Sequence, residues 1–140
     1  MTKVRFYSNA TDRVQAAVAW LAASWRQQPI LVFAPDADIA ERLDRMLWTQ
    51  PATGFLPHCR ADSPLAAETP VLIANNLDAP PHDRCLLNLS NEIPPGYARF
   101  EELVEIVSTA DHDRLPARER FRFYRERGYA LENSNVADGF

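Results

Sequence analysis

The chain has 140 residues, of which 46% are hydrophobic and 24% charged, a balance that fits one globular domain spanning residues 1–140. A net charge of −4 argues against a general nucleic-acid coat, and two cysteines, Cys59 and Cys85, are too few for a disulfide scaffold. The N-terminus carries no apolar leader and no apolar run approaches the roughly 18 residues of a membrane span, so a soluble cytoplasmic protein is expected.

Val4 to Tyr7 is β-branched and aromatic and reads as a strand. The polar turn Ser8-Asn9-Ala10-Thr11-Asp12 follows, with Thr11 or Asp12 as the helix N-cap. Val14, Ala17, Val18, Leu21, Ala22 and Trp25 repeat at helical spacing and predict a helix over 13–27, closed by Pro29. Ile30 to Ala34 is a continuous apolar run, as in a strand buried on both faces. Pro35-Asp36-Ala37-Asp38 opens a second helix with Ile39, Leu43, Met46 and Leu47 on its apolar face, ending near Trp48. Phe55 to His58 is a brief extended piece, and 61–69 reads as a loop. Val71 to Ala74 and Cys85 to Ser90 are two more buried strands, separated by the turn residues Asp78 to Asp83. Phe100, Leu103, Val104 and Val107 are spaced as a helix. The last long helix follows Ser108 and stops at Gly128. Tyr129 to Leu131 reads as a short edge strand, and the tail over 132–140 is expected to fray. Alternating strands and helices predict an α/β fold with three layers, a mostly parallel sheet covered by helices on both faces.

A nucleotide enzyme built on such a sheet needs glycines at its first strand-to-helix turn, so that backbone can approach phosphate. That turn holds none, no Gly-rich phosphate loop occurs elsewhere, and Asp12 repels phosphate, so the expected arrangement is Rossmann-like without the nucleotide chemistry. The metal-ligating types are His58, Cys59, His82, Cys85 and His112, whose spacing matches no regular zinc pairing; no metal and no cofactor is expected. No local motif supports a Cys-His or Ser-His-Asp nucleophile, so no catalytic site is expected. Trp48 and Phe55 admit two readings, aromatics that cap the core or an exposed patch that receives a partner.

Charge is concentrated in one place. Residues 114–127 hold six arginines and two glutamates, a local charge of +4, while the remaining nine cations and seventeen acids leave the rest of the chain at −8. Arg114, Arg118, Arg122 and Arg125 are separated by four, four and three residues and share one helix face, with Phe121 and Tyr124 in or beside the stripe. A solvated helix face has this pattern, and so does a single-strand nucleic-acid site. An acidic peptide with a hydrophobic residue suits the same face, because arginine grips carboxylates with a planar fork. The negative remainder of the chain favours a compact anion over a long polyanion, so strong direct binding of nucleic acid is not expected.

Three blocks together resemble a known family. They are Phe6-Tyr7 at the end of the first strand, the segment from Leu47-Trp48 to Phe55-Leu56-Pro57-His58, and Ala117-Arg118-Glu119-Arg120-Phe121 through Tyr124-Arg125 and Gly128-Tyr129. In order and spacing they are similar to the chi subunit of bacterial DNA polymerase III, an accessory protein of the clamp loader. The resemblance implies a non-catalytic subunit at the replisome with two partners. One is the acidic C-terminal tail of single-stranded-DNA-binding protein, ending in Pro-Phe. It implies docking of that tail on Arg114, Arg118, Phe121, Arg122, Tyr124 and Arg125, with Val107 as an apolar wall. Phe121 stands where the family can carry a tyrosine, which keeps the ring and removes a hydroxyl. The other implied partner is the psi subunit, or a repair helicase in its place, facing Trp48, Pro51 and Phe55. The alternative reading is a nucleotide-dependent or nucleic-acid-processing enzyme.

Overall fold

The structure is a computed structural model that describes residues 1–49 and 54–140. Seven strands form one sheet in the order β3-β4-β2-β5-β6-β1-β7, and every neighbouring pair is parallel. The strands are β1 (Lys3–Ala10), β2 (Ile30–Phe33), β3 (His58–Arg60), β4 (Val71–Ala74), β5 (Cys85–Asn88), β6 (Glu102–Ser108) and β7 (Leu131–Asn135). The helices are α1 (Arg13–Ser24), α2 (Ala37–Thr49) and α3 (Asp111–Glu126). The expected three-layer α/β fold is observed.

Alternation along the strands splits the core in two. Ile30, Val32, Val71, Ile73, Leu87, Val104 and Ile106 pack with α1 and α2. Leu31, Phe33, Leu72, Leu86, Leu103 and Val107 face the other way, with Ala117 and Tyr124 of α3. Burial on both faces explains why β2, β4 and β5 read as unbroken apolar runs rather than alternating ones.

The helix ends follow local chemistry. Asp12 caps α1 by accepting from the Gln15 amide at 2.9 Å, and Asp36 accepts from Asp38 at 2.9 Å ahead of α2. Gly128 adopts φ +81° just past α3, where the Tyr129 amide bonds back to Tyr124 O at 3.2 Å. Pro116 lies inside α3 and has no amide to offer His112 O; the Asn91 side chain donates to that carbonyl instead, at 3.3 Å.

Three sequence expectations are corrected. The helix predicted through Phe100, Leu103, Val104 and Val107 is strand β6, paired between β5 and β1. Its helical spacing was coincidental: Leu103-Val104-Glu105-Ile106-Val107 is β-branched and buried on both faces, and tertiary pairing overrides a four-residue pattern. The turn predicted at Ser8-Asn9-Ala10 belongs to β1, which continues through a bulge to Ala10. Asn9 takes φ +69° there, a left-handed conformation that asparagine tolerates better than most residues. The edge strand expected over Tyr129 to Leu131 lies instead over Leu131–Asn135, paired along β1, and the Phe140 ring lies edge-on to Tyr7 at 5.0 Å.

Candidate functional site

Three segments meet around the carboxyl half of β1. The bulge turns Ser8 and Asn9 outward, β6 brings Val107, and β7 brings Asn133, whose Oδ1 accepts from the Ser8 hydroxyl at 3.0 Å. Helix α3 lies across them, and between helix and sheet runs a groove of about 410 Å³. Phe6, Val107, Ala117 and Phe121 form its apolar floor, with the Phe6 and Phe121 rings edge-to-face at 5.1 Å. Arg114, Arg118, Arg122 and Arg125 stand along its helix side.

The four guanidiniums are not equivalent. Arg114 donates to Asp111 at 2.6 Å, and that hydrogen bond holds the Asp111 carboxyl below the ordinary aspartate range. Arg122 lies 3.4 Å from Glu119. Arg118 and Arg125 have no carboxylate partner among the described residues, so their forks are free to take an external one. A floor of two phenyl rings beneath two unpaired guanidiniums suits a ligand that joins an apolar ring to a carboxylate.

Six of the seven residues expected at this site therefore line one groove: Val107, Arg114, Arg118, Phe121, Arg122 and Arg125. Tyr124 does not. It is fully buried, with its hydroxyl donating to Glu105 Oε2 at 3.0 Å and its phenol pushed up by burial. Phe6, Ser8, Asn9 and Asn133 line the groove and were not anticipated, because the β1 bulge and the β1–β7 pairing that place them leave no local mark in the sequence.

Beneath α3 lies a buried polar cluster that sequence reading also missed. Glu105 sits on β6 between Leu103 and Val107, facing the helix. It accepts from Arg120 Nε and Nη2, both at 3.1 Å, and from Asn88 Nδ2 at 3.0 Å. Arg13 reaches in from α1 to 3.9 Å and donates to the carbonyls of Ile106, Asn88 and Ser90. A lone glutamate inside an apolar run was the available signal, hidden by the helical reading of that run.

The second expected site is an exposed aromatic patch. Trp48 and Phe55 are 59% and 62% exposed, and their rings lie 5.4 Å apart. Their contact with His58 closes the group: the Trp48 ring is edge-on to His58 at 4.8 Å. The imidazole beneath is buried, within 2.8 Å of Leu56 O and 3.3 Å of Asp44. Trp48 and Phe55 are thus exposed on the surface and do not cap the core. Pro51 lies outside the described residues.

At the carboxyl end of the sheet, where folds of this kind bind ligands, a crevice of about 640 Å³ opens. Asp12, Asp36 and Asp113 stand in it at or beside the three helix N-termini, and Asp12 holds Arg42 at 2.7 Å. The donors a phosphate needs are thus opposed by carboxylates. Of the metal-ligating candidates, Cys85 is buried in the core, where desolvation pushes its thiol up, and no cluster of three such side chains able to hold a metal is found among the described residues.

The chain is similar to known proteins along nearly its whole length. The family model described as "DNA polymerase III chi subunit, HolC" matches residues 1–132. The DNA polymerase III subunit chi of Pseudomonas aeruginosa is 37% identical over 144 residues, covering 97% of this chain and 98% of the relative. That of Escherichia coli is 32% identical over 124 residues, covering 86% and 84%. That of Haemophilus influenzae is 30% identical over 134 residues, covering 91% of each.

Proposed function

Given that the chain belongs to the DNA polymerase III chi subunit family, we propose that it is a non-catalytic accessory subunit linking the clamp loader to single-stranded-DNA-binding protein. The link is the groove beside α3. The acidic C-terminal tail of the binding protein enters it, its final phenyl ring settles against Phe121 and Val107, and its terminal carboxylate takes the fork of Arg118 or Arg125. Supporting this reading is one observation above all: two unpaired guanidiniums stand over an apolar floor in a single groove.

Charge along the stripe speeds encounter and makes it salt-sensitive, while the buried ring governs residence time. A contact this small is weak by itself, so several tails on one assembly supply the working strength. The Trp48 and Phe55 patch, with Pro51, is the face for the second partner, the psi subunit or a repair helicase in its place. Large exposed aromatics in contact are typical of interface cores. No helix among the described residues is long and apolar enough to cross a membrane, and the setting we propose is the cytoplasmic replisome.

Calorimetry with an acidic peptide ending in Pro-Phe tests the docking. The wild-type chain binds it, and Arg118→Ala and Phe121→Ala each weaken binding by about tenfold or more, roughly 1.4 kcal/mol. Equal affinity in wild type and both variants would remove the assignment.

A further inference from the structure

Helix α3 carries a second groove on its other flank. Pro116, Glu119, Phe123 and Glu126 follow one another at three, four and three residues, a stripe separated from the arginine stripe by the buried residues Ala117, Arg120 and Tyr124. This stripe borders a groove of about 550 Å³, closed on the far side by Glu92 and Ile93. Its floor is apolar, from Ile93, Pro116 and Phe123, and Glu92, Glu119 and Glu126 are exposed around it. Of the two arginines in its lining, Arg122 is tied to Glu119 at 3.4 Å and Arg120 is held by the buried Glu105, which leaves Glu92 and Glu126 to set the sign of the rim. The sign of charge is therefore opposite to that of the first groove.

Arg120 lines the base of this second groove and is only 3% exposed. Glu105 occupies its Nε and Nη2, which leaves Nη1 buried with no acceptor among the described residues. A buried N–H without an acceptor carries a desolvation penalty that an arriving carbonyl removes. Phe123 packs with the Arg127 guanidinium stacked on its ring at 3.6 Å and Tyr97 edge-on at 6.1 Å.

We propose that this groove docks a basic segment of a partner protein. An apolar side chain of the segment covers Ile93 and Phe123, a lysine or arginine pairs with Glu119 and Glu126, and a backbone carbonyl accepts from Arg120 Nη1. Three carboxylates around an apolar floor repel nucleic acid and any acidic tail, so charge complementarity selects a cationic peptide. Helix α3 then reads two chemically opposite ligands, one on each flank.

The probe is a fluorescein-labelled, amidated amphipathic peptide of leucine, lysine and arginine, titrated into the full chain and followed by anisotropy. Saturable binding is expected, weakened about tenfold or more in Glu119→Lys with Glu126→Lys. Both glutamates are exposed, so the fold is unaffected, and a circular-dichroism melt checks this. Arg118→Ala, which removes a cation from the other groove, leaves affinity within about twofold. So does Glu41→Lys with Glu68→Lys, an equal charge reversal elsewhere on the surface. No saturable binding up to about 1 mM, undiminished binding by the Glu119/Glu126 variant, or equal loss in the Glu41/Glu68 variant overturns the proposal. Self-association of the free protein that is abolished in the Glu119/Glu126 variant also overturns it, by assigning the groove to a second copy.

Discussion

Glu105 on β6 and Arg120 on α3 are joined by two hydrogen bonds of 3.1 Å with almost no access to solvent. The pair is the polar rivet between the sheet and the helix that carries both grooves. Removing Arg120 takes the close cation from a buried carboxylate and leaves it Asn88, Tyr124 and the more distant Arg13, so Arg120→Ala is expected to destabilise the fold by about 3–5 kcal/mol in urea denaturation. Breaking the exposed Arg122–Glu119 pair with Glu119→Ala is expected to change stability by less than about 1 kcal/mol.

Tyr124 separates support from contact. Its hydroxyl donates to Glu105, and its ring faces the core rather than the arginine groove. Tyr124→Phe is expected to cost about 1–3 kcal/mol of stability, since it leaves a charged acceptor short of a donor. Affinity for the acidic peptide, measured by calorimetry at a temperature where the variant is folded, is expected to stay within about twofold of wild type.

Much of this arrangement was legible in the sequence. The apolar runs at Ile30, Val71 and Cys85 declared doubly buried strands, because a strand covered on both faces has no polar side to show. The arginine stripe was legible because spacing on a helix sets which side chains share a face. What failed was the same rule at short range. Four apolar residues of β6 matched helical spacing by chance, and that reading concealed Glu105. Tyr124 was placed beside the stripe by number alone, whereas the Glu105 carboxylate draws its hydroxyl under the helix. Ser8, Asn9 and Asn133 come from a bulge and from a strand pairing across more than a hundred residues, which no local pattern encodes.

Asp12 makes acid stability readable. Its carboxylate accepts from Arg42 and from the Gln15 amide, and the Arg42 contact leads in holding its pKa below the ordinary aspartate value. A depressed folded pKa contributes stability that is present at neutral pH and lost as pH falls through the ordinary and then the folded value. Asp12→Asn keeps the cap and removes the titration. The loss of urea midpoint between pH 6 and pH 3 is therefore expected to be smaller in Asp12→Asn than in wild type.

Trp48 tests whether the aromatic patch is surface rather than core. Its ring is largely exposed and leans on Phe55 and His58. Trp48→Ala is expected to lower stability by less than about 1.5 kcal/mol, against about 3–5 kcal/mol for Trp20→Ala in the buried face of α1. Urea denaturation followed by circular dichroism compares the two.

The docking of an acidic tail beside α3 is tested most directly by nitrogen-15 NMR of the intact chain titrated with an acidic peptide ending in Pro-Phe. The account predicts shifts that saturate at Ser8, Asn9, Val107, Ser108, Arg118 and Phe121, the residues around the arginine groove, with Trp48 and Phe55 undisturbed. Shifts that saturate at Trp48 and Phe55, or around the carboxyl-end crevice at Asp12 and Asp36, and that leave the groove unchanged, would contradict it.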